Sequence, residues 1–166
     1  VKASRLFAGY EHEQQVKRLA EHFKKPIDHY SSVECDLSIL NGLRKRKLVR
    51  TKAINDRHSD FQFRDLDEYS SYEEAYHQLI TDIMQQQVRS TNLVLKGVPV
   101  KRIFVDGGFS KNPIYMYLLA KAFPRLEVYA ASVPQASALG AALAIHDHWN
   151  KKEFPSDIID LKLYSI

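Results

Sequence analysis

The sequence has little of what would let it cross a membrane, crosslink itself or stay unfolded. It holds one cysteine, Cys35, in 166 residues, which excludes an internal disulfide and any zinc site with more than one thiolate. A lone thiol suits a reducing compartment, so a cytoplasmic protein is expected. The longest weakly polar run, Ala138 to Ile145, is broken by Gly140 and falls far short of the roughly 20 residues a membrane-crossing helix needs. No membrane partner is expected. Glycine and proline number six each, too few for a fibrous or low-complexity chain. Neither sign of charge dominates: 24 Lys and Arg against 20 Asp and Glu leave +4 with histidine neutral. Val1-Lys2-Ala3-Ser4-Arg5 opens without Met and without the apolar stretch of a signal peptide. A piece of a longer protein is the expectation.

What is present suffices for one folded domain. Hydrophobic residues make up 45% of the chain, and a chain of this size buries about 70% of the surface its unfolded form exposes. Val16, Leu19, Ala20 and Phe23 recur at helical spacing, so Glu11 to Phe23 is predicted helical, with Pro26 as a stop. Before it, Arg5 to Gly9 reads as a short strand or an entry loop ending in a turn. Between Ile27 and Asp65 the pattern is weaker, with a short helix over Asp36 to Leu43 and a strand over Leu48 to Ile54 as expectations. Ser71-Tyr72-Glu73-Glu74 then forms a capping box, in which Ser71 accepts from the Glu74 amide and Glu74 reaches back. A helix of about 25 residues should follow, with Tyr72, Tyr76, Leu79, Ile80, Ile83, Met84, Val88 and Leu95 on its inner face and Gly97 and Pro99 at its end. From Val100 the order is strand (Arg102 to Val105), turn, helix (Asn112 to Phe123), strand (Leu126 to Ala130), helix (Gln135 to Trp149). That alternation predicts an α/β layered domain with at least one parallel strand pair. The last helix is small and apolar on most sides, which predicts close packing on both faces.

Some polar clusters are read as structure. The run Arg44-Lys45-Arg46-Lys47, extended by Arg50 and Lys52, is expected to be a solvated face, since no nucleic-acid recognition motif accompanies it. Asp56, His58 and Asp60 alternate but lack a partner cluster, so no metal site is expected. His146 and His148 stand near a helix end, where cations are favourable, and their two-residue spacing points the rings apart.

Val105-Asp106-Gly107-Gly108-Phe109-Ser110-Lys111-Asn112 is the segment that carries chemistry. Paired glycines after a strand let the backbone turn sharply and let a ligand approach the main chain. Free amides at the start of the following helix favour an anion, and Ser110 and Asn112 add short polar side chains at the same mouth. A nucleotide phosphate or ribose fits such a turn, although glycine also serves geometry alone. It is neither a Walker loop nor a dinucleotide fingerprint, because the Gly-Lys-Ser/Thr and the third spaced glycine are missing.

Together with Ala138-Leu139-Gly140-Ala141-Ala142-Leu143-Ala144 one helix and one strand later, this segment resembles the C-terminal adenosine-binding region of the FGGY family of carbohydrate kinases, which includes glycerol, xylulose and rhamnulose kinases. The match is best over residues 100–149, and Leu6 to Phe23 is similar in looser terms. The resemblance implies a ribonuclease H-like fold of the actin and sugar kinase kind, with residues 1–166 forming part of the C-terminal, adenosine-side domain. It implies ATP with Mg²⁺ as cofactors and a sugar or ketose as phosphoryl acceptor; a homo-oligomer is a separate option, since a piece of a two-domain enzyme exposes a former interdomain surface that promotes association. It places Gly107 and Gly108 near the α-phosphate and ribose and Asn112 near the adenine, with Ser110 as a fourth candidate, and makes Gly140 a close-packing residue behind the site. Gln135 stands where members often carry Glu, and Lys121 where they often carry Asp, which bears on the subfamily rather than the fold. The catalytic Asp, the sugar site and both phosphate loops of the family lie upstream of such a segment, so no catalytic residue is assigned here and the chain alone is expected to be inactive. Asp106 is read as structural. The alternative, from another class, is a non-catalytic actin-like nucleotide-binding or interaction module.

Overall fold

The structure is a computed structural model that describes residues 2–43, 58–131, 136–151 and 161–165. The basic run, the expected strand over Leu48 to Ile54, Asp56 and Gln135 lie outside the described residues.

Helix α3, Tyr72–Leu95, is the spine. Its Tyr72, Ala75, Tyr76, Leu79, Ile80 and Ile83 are all buried at three- and four-residue steps, as the apolar period predicts. Helix α1 (Ala8–Phe23), helix α2 (Leu37–Leu43), the 3-10 turn Asp60–Phe63 and helix α4 (Pro113–Ala122) all pack on it. Because α3 is enclosed, its polar residues His77, Gln78 and Asp82 are buried as well. Each is satisfied. Asp82 accepts from Arg64 Nε at 2.5 Å and Arg64 Nη2 at 3.0 Å, and from the Gln78 amide at 2.8 Å. The His77 ring accepts from the Asp36 amide through Nε2 and so donates from Nδ1 to the Glu73 carbonyl.

The start of α3 follows the capping prediction with one change. Ser71 Oγ accepts from the Glu74 amide at 3.1 Å, whereas the Glu74 carboxylate reaches past Ser71 to accept from the amide and hydroxyl of Ser70, both at 2.8 Å. Arg5 to Gly9 forms neither strand nor turn: α1 begins at Ala8 and includes Gly9, because Ala8 and Glu11 are already part of the stripe buried against α3. Asp36 starts α2 by accepting from the Ser38 and Ile39 amides.

Helix α4 covers one face of a mixed sheet in the order β1 (Arg102–Val105), β2 (Glu127–Ala131), β3 (Leu161–Tyr164). Strands β1 and β2 are parallel, with Phe104 opposite Tyr129, as a strand-helix-strand unit requires. Strand β3, which the sequence did not suggest, returns antiparallel to β2 with Leu163 opposite Tyr129. Val128 and Ala130 point into the core, while Phe104, stacked on Tyr129 at 5.4 Å, and Leu163 face outward and are about half exposed.

The predicted helix from Gln135 to Trp149 is two helices, α5 (Ala136–Ala144) and α6 (His146–Trp149), separated where Ile145 leaves the helical region at φ −114°, ψ 8°. Over residues 140–145 close packing on both faces is not observed. Residues 140–145 are exposed or half-exposed, and a Cβ built on Gly140 meets no atom within 4 Å. An apolar stretch left as open as residues 140–145 lacks the tertiary support that would keep a helix continuous.

Candidate functional site

Strand β1 ends at Val105, and the chain turns on Gly107 and makes one 3-10 turn, Gly108–Lys111, before Asn112 caps α4. Gly107 sits at φ 78°, ψ −154°, a conformation essentially restricted to glycine. Gly108 has no positive φ, and a Cβ there would meet nothing within 4 Å. The turn is stitched by Asp106, whose carboxylate accepts from the Gly107 amide at 2.7 Å, and by Ser110, whose hydroxyl donates to the Gly107 carbonyl at 2.8 Å. Ser110 is buried, and its side chain holds the turn from within. Asn112 Oδ1 accepts from the Tyr115 amide at 3.0 Å, and Pro113 carries no N–H. Fewer amides are therefore free at this helix start than the sequence implied.

The turn forms one wall of a cleft of about 540 Å³ lined by Gly9, His12, Tyr30, Ser31, Gly108, Phe109, Lys111, Asn112 and Pro113. Of the four residues singled out in the sequence, Gly108 and Asn112 line it, while Gly107 and Ser110 shape the wall from behind. The opposite wall comes from α1 and the 3-10 turn His29–Ser32. The volume is in the range of small-molecule sites.

Phe109 stacks on Tyr115 at 4.5 Å, and the edge of the His12 ring meets Tyr30 at 4.9 Å and Phe109 at 5.5 Å. Beneath them runs a polar chain. The Asn112 amide donates to the Tyr76 hydroxyl at 2.7 Å, and that hydroxyl lies 2.9 Å from His12 Nε2. Burial pushes His12 down to about 4 and the Tyr76 phenol well above its ordinary value. Lys111, exposed at the cleft, is the one cation among the lining residues, and no carboxylate is among them.

Sequence reasoning missed His12, Tyr30 and Phe109 as cleft residues. A signal existed for His12, which stands four residues before Val16 and so continues the inward stripe of α1. Tyr30 lies in a region without period, and nothing in the pattern distinguishes it. Among the described residues, no group of His, Cys, Asp and Glu is arranged to hold a metal ion, and no helix is long and apolar enough to cross a membrane. His58, from the alternating cluster, pairs with buried Glu11 at 3.0 Å.

The chain was compared with known proteins. The model of the FGGY family of carbohydrate kinases, C-terminal domain, matches residues 50–145, more than half of the chain and including the glycine turn. Neither the curated proteins nor the solved structures gave a match.

Proposed function

Because the chain belongs to the FGGY family of carbohydrate kinases through its C-terminal domain, we propose that the cleft beside Gly107 and Gly108 holds the adenosine of ATP. In this reading the protein serves a kinase that transfers the γ-phosphoryl group to a hydroxyl of a sugar or ketose, on an actin-like, ribonuclease H-like framework. The carrying observation is the cleft itself, which joins the glycine turn at Gly108, two aromatic residues and one lysine, with the turn lying inside the family-matched residues 50–145. Tyr30 and Phe109 suit a flat base, and Gly108 leaves room for the sugar of the nucleotide. Lys111 supplies positive charge toward phosphate. Mg²⁺ would enter with the nucleotide phosphates and neutralise charge on the transferring group.

The chemistry also needs a base for the acceptor hydroxyl. No carboxylate lines this cleft, and His12, held neutral down to about pH 4, is a poor one. The chain by itself should therefore bind nucleotide without turning over a sugar. Selectivity among sugars rests on hydrogen bonds to individual hydroxyls, and in this reading the cleft is occupied by the nucleotide rather than the sugar. The test is a titration of ADP and ATP, with and without Mg²⁺, read on the amide resonances of Gly108, Phe109 and Asn112. Saturable shifts confined to the turn, α1 and residues 29–32 are expected. Unmoved resonances at millimolar nucleotide would reject the adenosine site.

A further inference from the structure

The polar chain under the cleft fixes where one proton lies. Asn112 has its carbonyl oxygen on the Tyr115 amide, so its NH₂ must face Tyr76 and donate. Tyr76 is fully buried, and its hydroxyl proton needs an acceptor. With Asn112 acting as a donor, that acceptor is His12 Nε2. The His12 ring is therefore neutral and carries its hydrogen on Nδ1. Among the described residues nothing accepts from that Nδ1, nor is it a fully buried atom without a partner. It is the free polar atom of a residue that lines the cleft.

The same network limits Asn112. An asparagine reads adenine bidentately by accepting from the exocyclic amine while donating to a ring nitrogen, but here the amide plane is already oriented by its bonds to the Tyr115 amide and the Tyr76 hydroxyl rather than by a base. His12 is the other side chain of this network that lines the cleft. Resting on the reading of the cleft as an adenosine site, we propose that His12, with its tautomer set by Tyr76 and Asn112, donates from Nδ1–H to a ring nitrogen of the purine and so selects the base. Ring nitrogens of purines are acceptors whose lone pairs lie in the ring plane, and the aromatic residues Tyr30 and Phe109 suit a flat ring there. His12 and Tyr30 both lie outside the family-matched residues 50–145.

The experiment has two arms. Long-range proton–nitrogen NMR of the His12 ring reports the tautomer without ligand, and protonated Nδ1 with bare Nε2 is expected. The opposite tautomer would overturn the proposal. Calorimetry then compares ADP with its 1-deaza, 3-deaza and 7-deaza analogues on the wild-type chain, on His12→Phe and on Tyr76→Phe, each variant first shown to be folded by its amide spectrum. One analogue should bind the wild type about 10-fold more weakly than ADP, the size of one hydrogen bond. On His12→Phe, ADP and that analogue should bind alike. Tyr76→Phe, which keeps His12 but frees its tautomer, should show an intermediate preference. ADP binding with equal affinities for all three analogues, or the wild-type preference surviving in His12→Phe, would overturn the proposal and leave the adenosine site standing. No ADP binding to the wild type would remove both.

Discussion

At the residue scale, the two glycines of the turn separate by role. Gly107 lies where only glycine is comfortable, so Gly107→Ala should destabilise the chain by about 1–3 kcal/mol. Gly108 has ordinary φ and open space at its Cβ position, so Gly108→Ala should change stability by less than about 0.5 kcal/mol. Its new methyl would stand at the cleft, and nucleotide affinity should fall instead. Thermal unfolding beside ADP titration of the pair checks this division. His12 and His77 make a second, pH-dependent expectation, since burial lowers both below the ordinary 6.5, His12 to about 4. As pH falls, the unfolded chain takes up these protons first, so stability is full above about pH 6.5 and declines between 6.5 and 4. For His12 the loss is about 3 kcal/mol. Urea midpoints across that window should drop for the wild type and drop less for His12→Phe.

At the element scale, α3 shows which parts of the structure were written locally. Its apolar period, its Ser71 cap and its Gly97 end all depend on residues within one or two turns, and all were legible from the sequence. The strand, glycine turn and α4 were legible for the same reason: Arg102 to Val105 is branched and aromatic, and Asn112-Pro113 is a local helix start. Strand β3 was not, because four exposed or half-exposed residues make a strand only by pairing with β2. The break at Ile145 was missed because small apolar residues look like a packed helix whether or not a partner covers them. The cleft was half legible, since one wall is a motif and the other depends on how α1 docks. One long-range device on α3 can be tested. Asp82→Asn leaves the Arg64 guanidinium partly buried without its counter-charge and should cost about 3 kcal/mol. Replacing both, with Arg64→Met and Asp82→Leu, should recover much of that. Denaturant midpoints at constant m distinguish the two cases.

At the scale of the whole molecule, the layers run in one order, with the sheet under α4, α4 against α3, and α3 against α1. Nucleotide would touch the first helix and the turn before the fourth, with the spine between them. Binding that requires this arrangement stabilises it by RT ln(1 + [L]/Kd), about 2.7 kcal/mol at a hundredfold excess over Kd. A rise in melting temperature with ADP concentration, absent for Gly108→Val, is the expected outcome. The walls of the cleft come from residues 9–31 and 108–113, so the site exists only after distant stretches of chain have been brought together. An occupied cleft would thus act as a clasp between the two ends of the fold, and amide exchange in α1 should slow on ligand addition even at positions that touch no ligand.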